Sequence, residues 1–170
     1  VAHTTISQET EAWPNGLVER FSNLEPALAP SLKPFVQRDG QGAPYLAGST
    51  CNACGHVYVG QRYVCARCAT RGQMSPCRLA ESGKVYVHTI VHRSFPGVPT
   101  PFIDVIVDLD DGAHLKGTLL GVRPDPGEPF FDLPVKVVFF EEQPVNMPGA
   151  PHLTYAFEPI VPSDGGSGHG

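Results

Sequence analysis

From Gly83 onward, β-branched and aromatic residues recur in short runs separated by turn-forming clusters, the pattern of a chain built from strands. Lys84 to Arg93 is the first run, ended by the Pro- and Gly-rich stretch 94–101. Phe102 to Leu109 alternates strictly, with Ile103, Val105, Val107 and Leu109 on one face. Asp110-Asp111-Gly112 predicts a hairpin turn, because Asp-Gly supplies the positive φ that such turns demand, and it leads into a third strand from Ala113 to Leu120. A Pro-rich crossing from Val122 to Leu133 precedes a fourth strand, Val135 to Phe140, and His152 to Ile160 supplies a fifth. Five strands with a long connection between the third and fourth match the small Greek-key barrel of the OB-fold.

The first 80 residues are patterned differently. Residues 1 to about 20 show no clear period and read as a loose arm. Phe21, Leu24, Leu28, Leu32 and Phe35 then recur at helical spacing, but Pro26, Pro30 and Pro34 cut across it, so one or two helical turns are expected in place of a continuous helix. Packing onto the ribbon and docking onto another subunit are both open for this segment. Gly40, Gly42, Pro44 and Gly48 read as a turn-rich lead, and Val57, Val59 and Tyr63 as a short hairpin strand. The expected organisation is an N-terminal arm and helical docking segment (1–48), a zinc ribbon (49–80), an OB barrel (81–161) and a disordered Gly/Ser tail (162–170). The fold class is mainly β.

The ribbon is expected because Cys51-x2-Cys54 and Cys65-x2-Cys68 bring four thiolates onto two tight turns ten residues apart. Gly55 suits a turn that needs positive φ, whereas the second turn has Ala69 at the equivalent place. Two disulfides, a redox pair or a rubredoxin-type iron are the competing chemistries; structural Zn2+ is the usual occupant of such a quartet. Four protein ligands leave no open position for water or substrate, so the metal is read as structural. Cys77 stands outside the quartet and reads as a small buried apolar residue.

Composition changes the picture mainly through charge. The chain of 170 residues has a formal charge of −5, with 18 Gly and 18 Pro, and no apolar run long enough to cross a bilayer, so a cytoplasmic protein is expected. Between Gly40 and Ala80 there is no Asp or Glu, while Arg62, Arg67, Arg71 and Arg78 contribute positive charge that either balances the thiolates or meets a phosphate. Residues 81–161 carry five basic and eleven acidic side chains, a net of −6. A single-stranded nucleic-acid module is the alternative reading of a ribbon joined to an OB barrel, and this balance opposes it, because phosphate neutralisation dominates such binding. Tyr86, Phe139, Phe140, Tyr155 and Phe157 are accordingly read as core and interface residues. No catalytic constellation emerges: His88 and His92 share a strand face about 13 Å apart, and Asp104 and Asp108 share another without close approach.

The order of these motifs resembles one family in particular. The Pro-broken N-terminal segment, Cys51-x2-Cys54-Gly55, Cys65-x2-Cys68, Gly83-Lys84-Val85-Tyr86-Val87-His88-Thr89, Pro101-Phe102 through Leu109-Asp110-Asp111-Gly112, and Gly117 to Gly121 together are similar to the acyl-CoA-associated OB-fold family with an N-terminal rubredoxin-like zinc ribbon. The resemblance spans about residues 25 to 160. It implies a non-catalytic subunit that pairs with a thiolase-like or lipid-transfer-protein-like catalytic subunit, in a hetero-oligomer with two copies of each. The partner would be a thiolase, an acyltransferase or an aldolase that cleaves the side chain of steroid CoA thioesters in lipid and steroid degradation. It also implies a CoA thioester as ligand of the complex, for which charge nominates Arg62, Arg67, Arg71 and Arg93.

Overall fold

The computed structural model describes residues 31–125, 127, 129–143 and 149–160. The arm, the helical stretch up to Pro30 and the Gly/Ser tail from Ser163 lie outside the described residues. Where the predicted helical stretch is described, residues 31–35 form a bend and a turn into the first strand, as Pro34 favours.

Nine strands follow in order: β1 (Val36–Arg38), β2 (Pro44–Cys51), β3 (Val57–Val59), β4 (Met74–Arg78), β5 (Ser82–Val91), β6 (Phe102–Leu109), β7 (His114–Leu119), β8 (Pro134–Glu142) and β9 (His152–Pro159). The first four make an antiparallel ribbon sheet with β2 at its centre. The last five close into a barrel in the order β5-β6-β7-β9-β8, with β7 parallel to β9 at Leu119 and Phe157, which is the OB-fold connectivity.

The expected β6 matches the observed strand end for end, and its alternation is obeyed: Ile103, Val105, Val107 and Leu109 are all buried. Gly112 closes the β6–β7 hairpin at φ 86°. Two parts of the ribbon differ from expectation. Pro44 and Gly48, read as a turn, lie inside β2, and Tyr63 lies outside any strand and is exposed. Proline is tolerated at Pro44 because it is the first residue of the strand. Gly48 belongs in the strand because a Cβ there would stand 2.3 Å from Leu79 Cδ2, so only glycine lets that side chain cross the sheet.

The ribbon sheet and the barrel share one apolar core. Val36 and Leu46 from the ribbon sheet and Leu79 just after β4 pack in the same cluster as Val85, Val107, Val135, Leu153 and Phe157 from the barrel, with Cys77, Val57 and Val59 against it. Polar contacts reinforce the seam: the Ala80 N–H donates to Asp111 Oδ2 at 2.7 Å, and Arg38 Nη2 meets Glu141 Oε1 at 3.0 Å.

Barrel closure relies on close backbone approach at Gly83, which pairs with both Leu109 and Val135. A Cβ at Gly83 would fall 2.3 Å from the Asp108 carbonyl oxygen, and that backbone cannot step aside without breaking the β5–β6 register. Gly83→Ala is therefore expected to lower stability by about 1–3 kcal/mol, the ordinary cost of forcing overpacking, read as a lower thermal midpoint. An unchanged midpoint would mean that the barrel closes more loosely at this position than the geometry requires.

Candidate functional site

Cys51 ends β2, and the three other cysteines sit on the turns that follow β2 and β3. The two turns have the same hydrogen-bond plan. Gly55 N–H donates to the Cys51 carbonyl at 2.8 Å and Ala69 N–H to the Cys65 carbonyl at 2.9 Å; the Cys51 N–H reaches His56 O and the Cys65 N–H reaches Thr70 O. Both turns bend through the left-handed region, at φ 72° for Gly55 and φ 57° for Ala69. The second turn thus holds an alanine where glycine would be unstrained.

These turns bring the sulfurs of Cys51, Cys54, Cys65 and Cys68 within 4.8 Å of one another. Cys51 Sγ lies 3.7 Å from Cys68 Sγ, and Cys54 Sγ lies 3.6 Å from Cys65 Sγ. A disulfide would need about 2.05 Å, whereas a tetrahedral ion with bonds of about 2.3 Å to sulfur needs edges of about 3.8 Å. The quartet is therefore a donor set sized for a metal ion. Cys51 and Cys65 are buried, and Cys54 and Cys68 lie nearer the surface.

The surroundings favour thiolate on one side of the quartet. The Tyr58 hydroxyl, 3.4 Å from Cys65 Sγ, brings the Cys65 thiol down to about 5, with the Cys68 and Arg67 N–H groups assisting against burial. The Thr70 hydroxyl and N–H lower Cys68 as well. At Cys54 the His56 N–H also favours the thiolate, but burial and the neighbouring thiols push it up to about 12. Tyr58 is pinned as the outer partner of Cys65 by the Arg67 N–H, which donates to its oxygen at 3.0 Å.

The nominated arginines divide into two groups. Arg62, Arg67 and Arg71 are exposed around the cysteine turns, with the Arg62 guanidinium 4.5 Å from the centre of the Tyr58 ring. Arg93 is exposed just beyond β5, on the barrel. Arg78 is engaged otherwise, paired with Asp39 at 2.9 Å and stacked over Tyr45. The other titratable groups singled out by sequence are not brought together: Asp104 pairs with Lys116, Asp108 with His114, and the His88 ring packs edge-on against Phe130 and Phe131.

A groove of about 630 Å³ crosses the barrel over β6, β7, β8 and β9, lined by Lys33, Phe102, Lys116, Leu120, Phe140 and Thr154 among others. It occupies the side of an OB barrel on which ligands commonly lie. Burial holds the Lys33 ammonium below its usual value, partly offset by Glu142, and the amine sits 4.3 Å over the Tyr155 ring. Burial also raises the Tyr155 phenol, with Asp104 adding to the effect, and its hydroxyl donates to the Lys116 carbonyl. Neither Tyr58 nor Lys33 stands out in the sequence, since a single Tyr in a three-residue strand and a Lys in a turn carry no pattern.

An OB barrel joined to a four-cysteine ribbon is thus the class of protein that the fold and site define. Residues 78–140 match the family model described as ChsH2, C-terminal OB-fold domain. A DUF35 domain-containing scaffold protein of Methanocaldococcus jannaschii is 28% identical over 118 residues, covering 68% of this chain and 82% of that protein. The benzoylsuccinyl-CoA thiolase subunit BbsA of Geobacter metallireducens is 33% identical over 87 residues, covering 51% of this chain and 57% of that subunit. Among solved structures, the Ltp2-ChsH2(DUF35) aldolase has a chain with the same fold, at a TM-score of 0.54 and 24% identity, covering 69% of this chain and 86% of that one. These matches bear out the resemblance to the acyl-CoA-associated OB-fold family, residues 78–140 being the stretch that the OB-domain model matches. Among the described residues, no helix is long and apolar enough to cross a membrane.

Removing the phenol oxygen in Tyr58→Phe deletes the hydroxyl facing Cys65 and leaves the Arg67 N–H without its acceptor. Metal affinity, measured by competition with a chromophoric chelator, is expected to fall about 10-fold or more, as for other outer-shell partners. Equal affinity in both proteins would show that Tyr58 only fills space.

Proposed function

We propose that the chain is a non-catalytic, zinc-containing subunit of a heteromeric acyl-CoA-processing complex. Its partner is a thiolase-fold subunit that makes or breaks a carbon–carbon bond in a CoA thioester, by thiolysis or retro-aldol cleavage, in an assembly with two copies of each chain. The observation that carries this reading is the joining, through one core, of a four-sulfur ribbon to a barrel whose residues 78–140 match the ChsH2 OB-fold domain. The 33% identity to a benzoylsuccinyl-CoA thiolase subunit supports the partner class.

Cys51, Cys54, Cys65 and Cys68 hold Zn2+ as a closed, structural tetrahedron, the usual occupant of such a donor set. The ion neutralises the crowded sulfurs and fixes both turns; it has no position left for substrate. Arg62, Arg67 and Arg71 then present positive charge on a lobe that has no carboxylate from Gly40 to Ala80, and offer the nucleotide phosphates of CoA charge-assisted hydrogen bonds. Arg93, on the barrel, contributes from a separate surface.

Co-expression with a thiolase-fold subunit from the same organism tests the reading. The expected result is a stable complex with one zinc per copy of this chain and CoA-thioester activity that the partner lacks alone. A partner fully active alone that forms no complex would overturn it. Within the complex, Arg67→Ala with Arg71→Ala is expected to weaken CoA binding about 10-fold, with zinc content unchanged. Unaltered affinity would remove the ribbon from the CoA site.

A further inference from the structure

Two backbone irregularities hold aromatic rings out into solvent at the same place on the barrel. In the β5–β6 ladder, Val85 pairs with Val107 and Val87 with Ile106, so Tyr86 is the extra residue of a β-bulge. A bulge re-aims the side chain that it carries, and Tyr86 is 65% exposed in the middle of a ten-residue strand. The second irregularity is Asp132, a non-glycine residue at φ 57°. Its N–H donates to the Val85 carbonyl at 2.9 Å, and the Val85 N–H donates to the Leu133 carbonyl at 3.0 Å. These two bonds fasten the segment ahead of β8 directly onto the bulge. Phe130 is thereby turned into the core, and Phe131 is left 58% exposed with its ring edge-on to His88.

Tyr86 and Phe131 line one depression of about 390 Å³, with Lys84, Asp108, Asp110 and Asp132 around them. Three carboxylates against one ammonium make its rim acidic. Asp108 faces His114 and Asp110 accepts from the Ser82 hydroxyl, while among the described residues no Lys or Arg lies within ion-pair distance of Asp110 or Asp132. Exposed aromatic rings fixed by strained backbone and flanked by carboxylates fit a cation carried on an apolar surface: the rings attract it through their faces and the carboxylates through their charge. A polyphosphate chain is repelled by the same rim.

We propose that this face, centred on Tyr86 and Phe131, docks the catalytic partner subunit through an Arg- or Lys-bearing apolar patch on that partner. The inference rests on the reading of the chain as an accessory subunit and names the surface by which it is held. It assigns the bulge and the left-handed Asp132 a purpose that barrel closure alone does not require.

The test compares the full chain with Tyr86→Ala, Phe131→Ala and Asp132→Asn, the last chosen because asparagine accepts positive φ as readily as aspartate. Binding to the co-expressed thiolase-fold subunit is measured at two salt concentrations, alongside zinc content and thermal midpoint. The expected result is affinity weakened about 10-fold or more by each aromatic truncation, and a shallower salt dependence for Asp132→Asn, with zinc unchanged. If the complex forms equally well with all three variants, this surface is not the docking face while the accessory-subunit reading stands; if the wild-type chain forms no complex, that reading falls and takes this one with it. A second arm works on the free chain: an arginine-bearing apolar peptide, acetyl-Leu-Arg-Leu-amide, is expected to shift the NMR signals of the Tyr86 and Phe131 rings, whereas acetyl-Leu-Glu-Leu-amide is not. Equal shifts with both peptides, or a dimer of this chain abolished by Phe131→Ala, would overturn the cationic partner.

Discussion

β2 is the element on which both halves of the molecule depend. Leu46, near its start, is wholly buried in the core shared with the barrel, and Cys51, at its end, is one corner of the sulfur quartet. Between them Gly48 lets the Leu79 side chain pass over the strand, and Ser49 is buried with its hydroxyl donating to the Gly60 carbonyl. Four residues therefore separate an apolar anchor from a corner of the sulfur quartet on a strand paired along both edges. The ribbon's shape draws on the burial of Leu46 and Val36 against the barrel, and an ion held among the sulfurs would add on the order of 10 kcal/mol. The coupling runs in both directions, since closing the sulfur turns fixes where Leu46 enters the core.

Charge is partitioned along the same line. The ribbon from Gly40 to Ala80 has no carboxylate, whereas residues 81–161 carry a net −6. At the seam the opposite signs meet in Arg38–Glu141 and in the Ala80 N–H bond to Asp111, while Arg78 is taken up by Asp39 in the turn ahead of β2. The exposed charges are sorted as well: Arg62, Arg67 and Arg71 surround the sulfurs, and Asp108, Asp110 and Asp132 surround the β5 bulge with Lys84 beside them. Exposed pairs of this kind contribute little to stability, about 0–1 kcal/mol each, so the sorting matters chiefly for what each surface can approach.

The barrel was legible in the sequence because its strands alternate and its hairpin turn is marked: β6 spans the residues expected, and Asp110-Asp111-Gly112 turns where Asp-Gly should. The quartet was legible because spacing alone converges the sulfurs. What escaped was set by long-range contacts. Pro44 and Gly48 carry turn chemistry, yet Leu79, far along the chain, decides that Gly48 belongs in a strand. Tyr86 alternates as though it faced a neighbour, but the bulge moves it out and sets His88 opposite the buried Val105; β5 ends at Val91, one residue short of His92. A bulge leaves no composition signal, because it is chosen by the segment that docks on it, here residues 132 and 133.

The three-residue strand β3 shows how metal chemistry is tied to the barrel without any residue serving both. Val57 and Val59 pack against the shared core, and Tyr58 between them projects to the opposite face of the strand, as period-two geometry demands. There it meets Cys65, takes the Arg67 N–H and lies under Arg62. A shift of the barrel wall against Val57 and Val59 must therefore move the hydroxyl that favours the Cys65 thiolate, and a change at the sulfurs must be felt by two side chains in the core. The ribbon is then best regarded as a layer packed on the barrel that carries its own four-sulfur donor set. Its rigidity depends on a tyrosine hydroxyl and two valines placed on opposite sides of a single short strand.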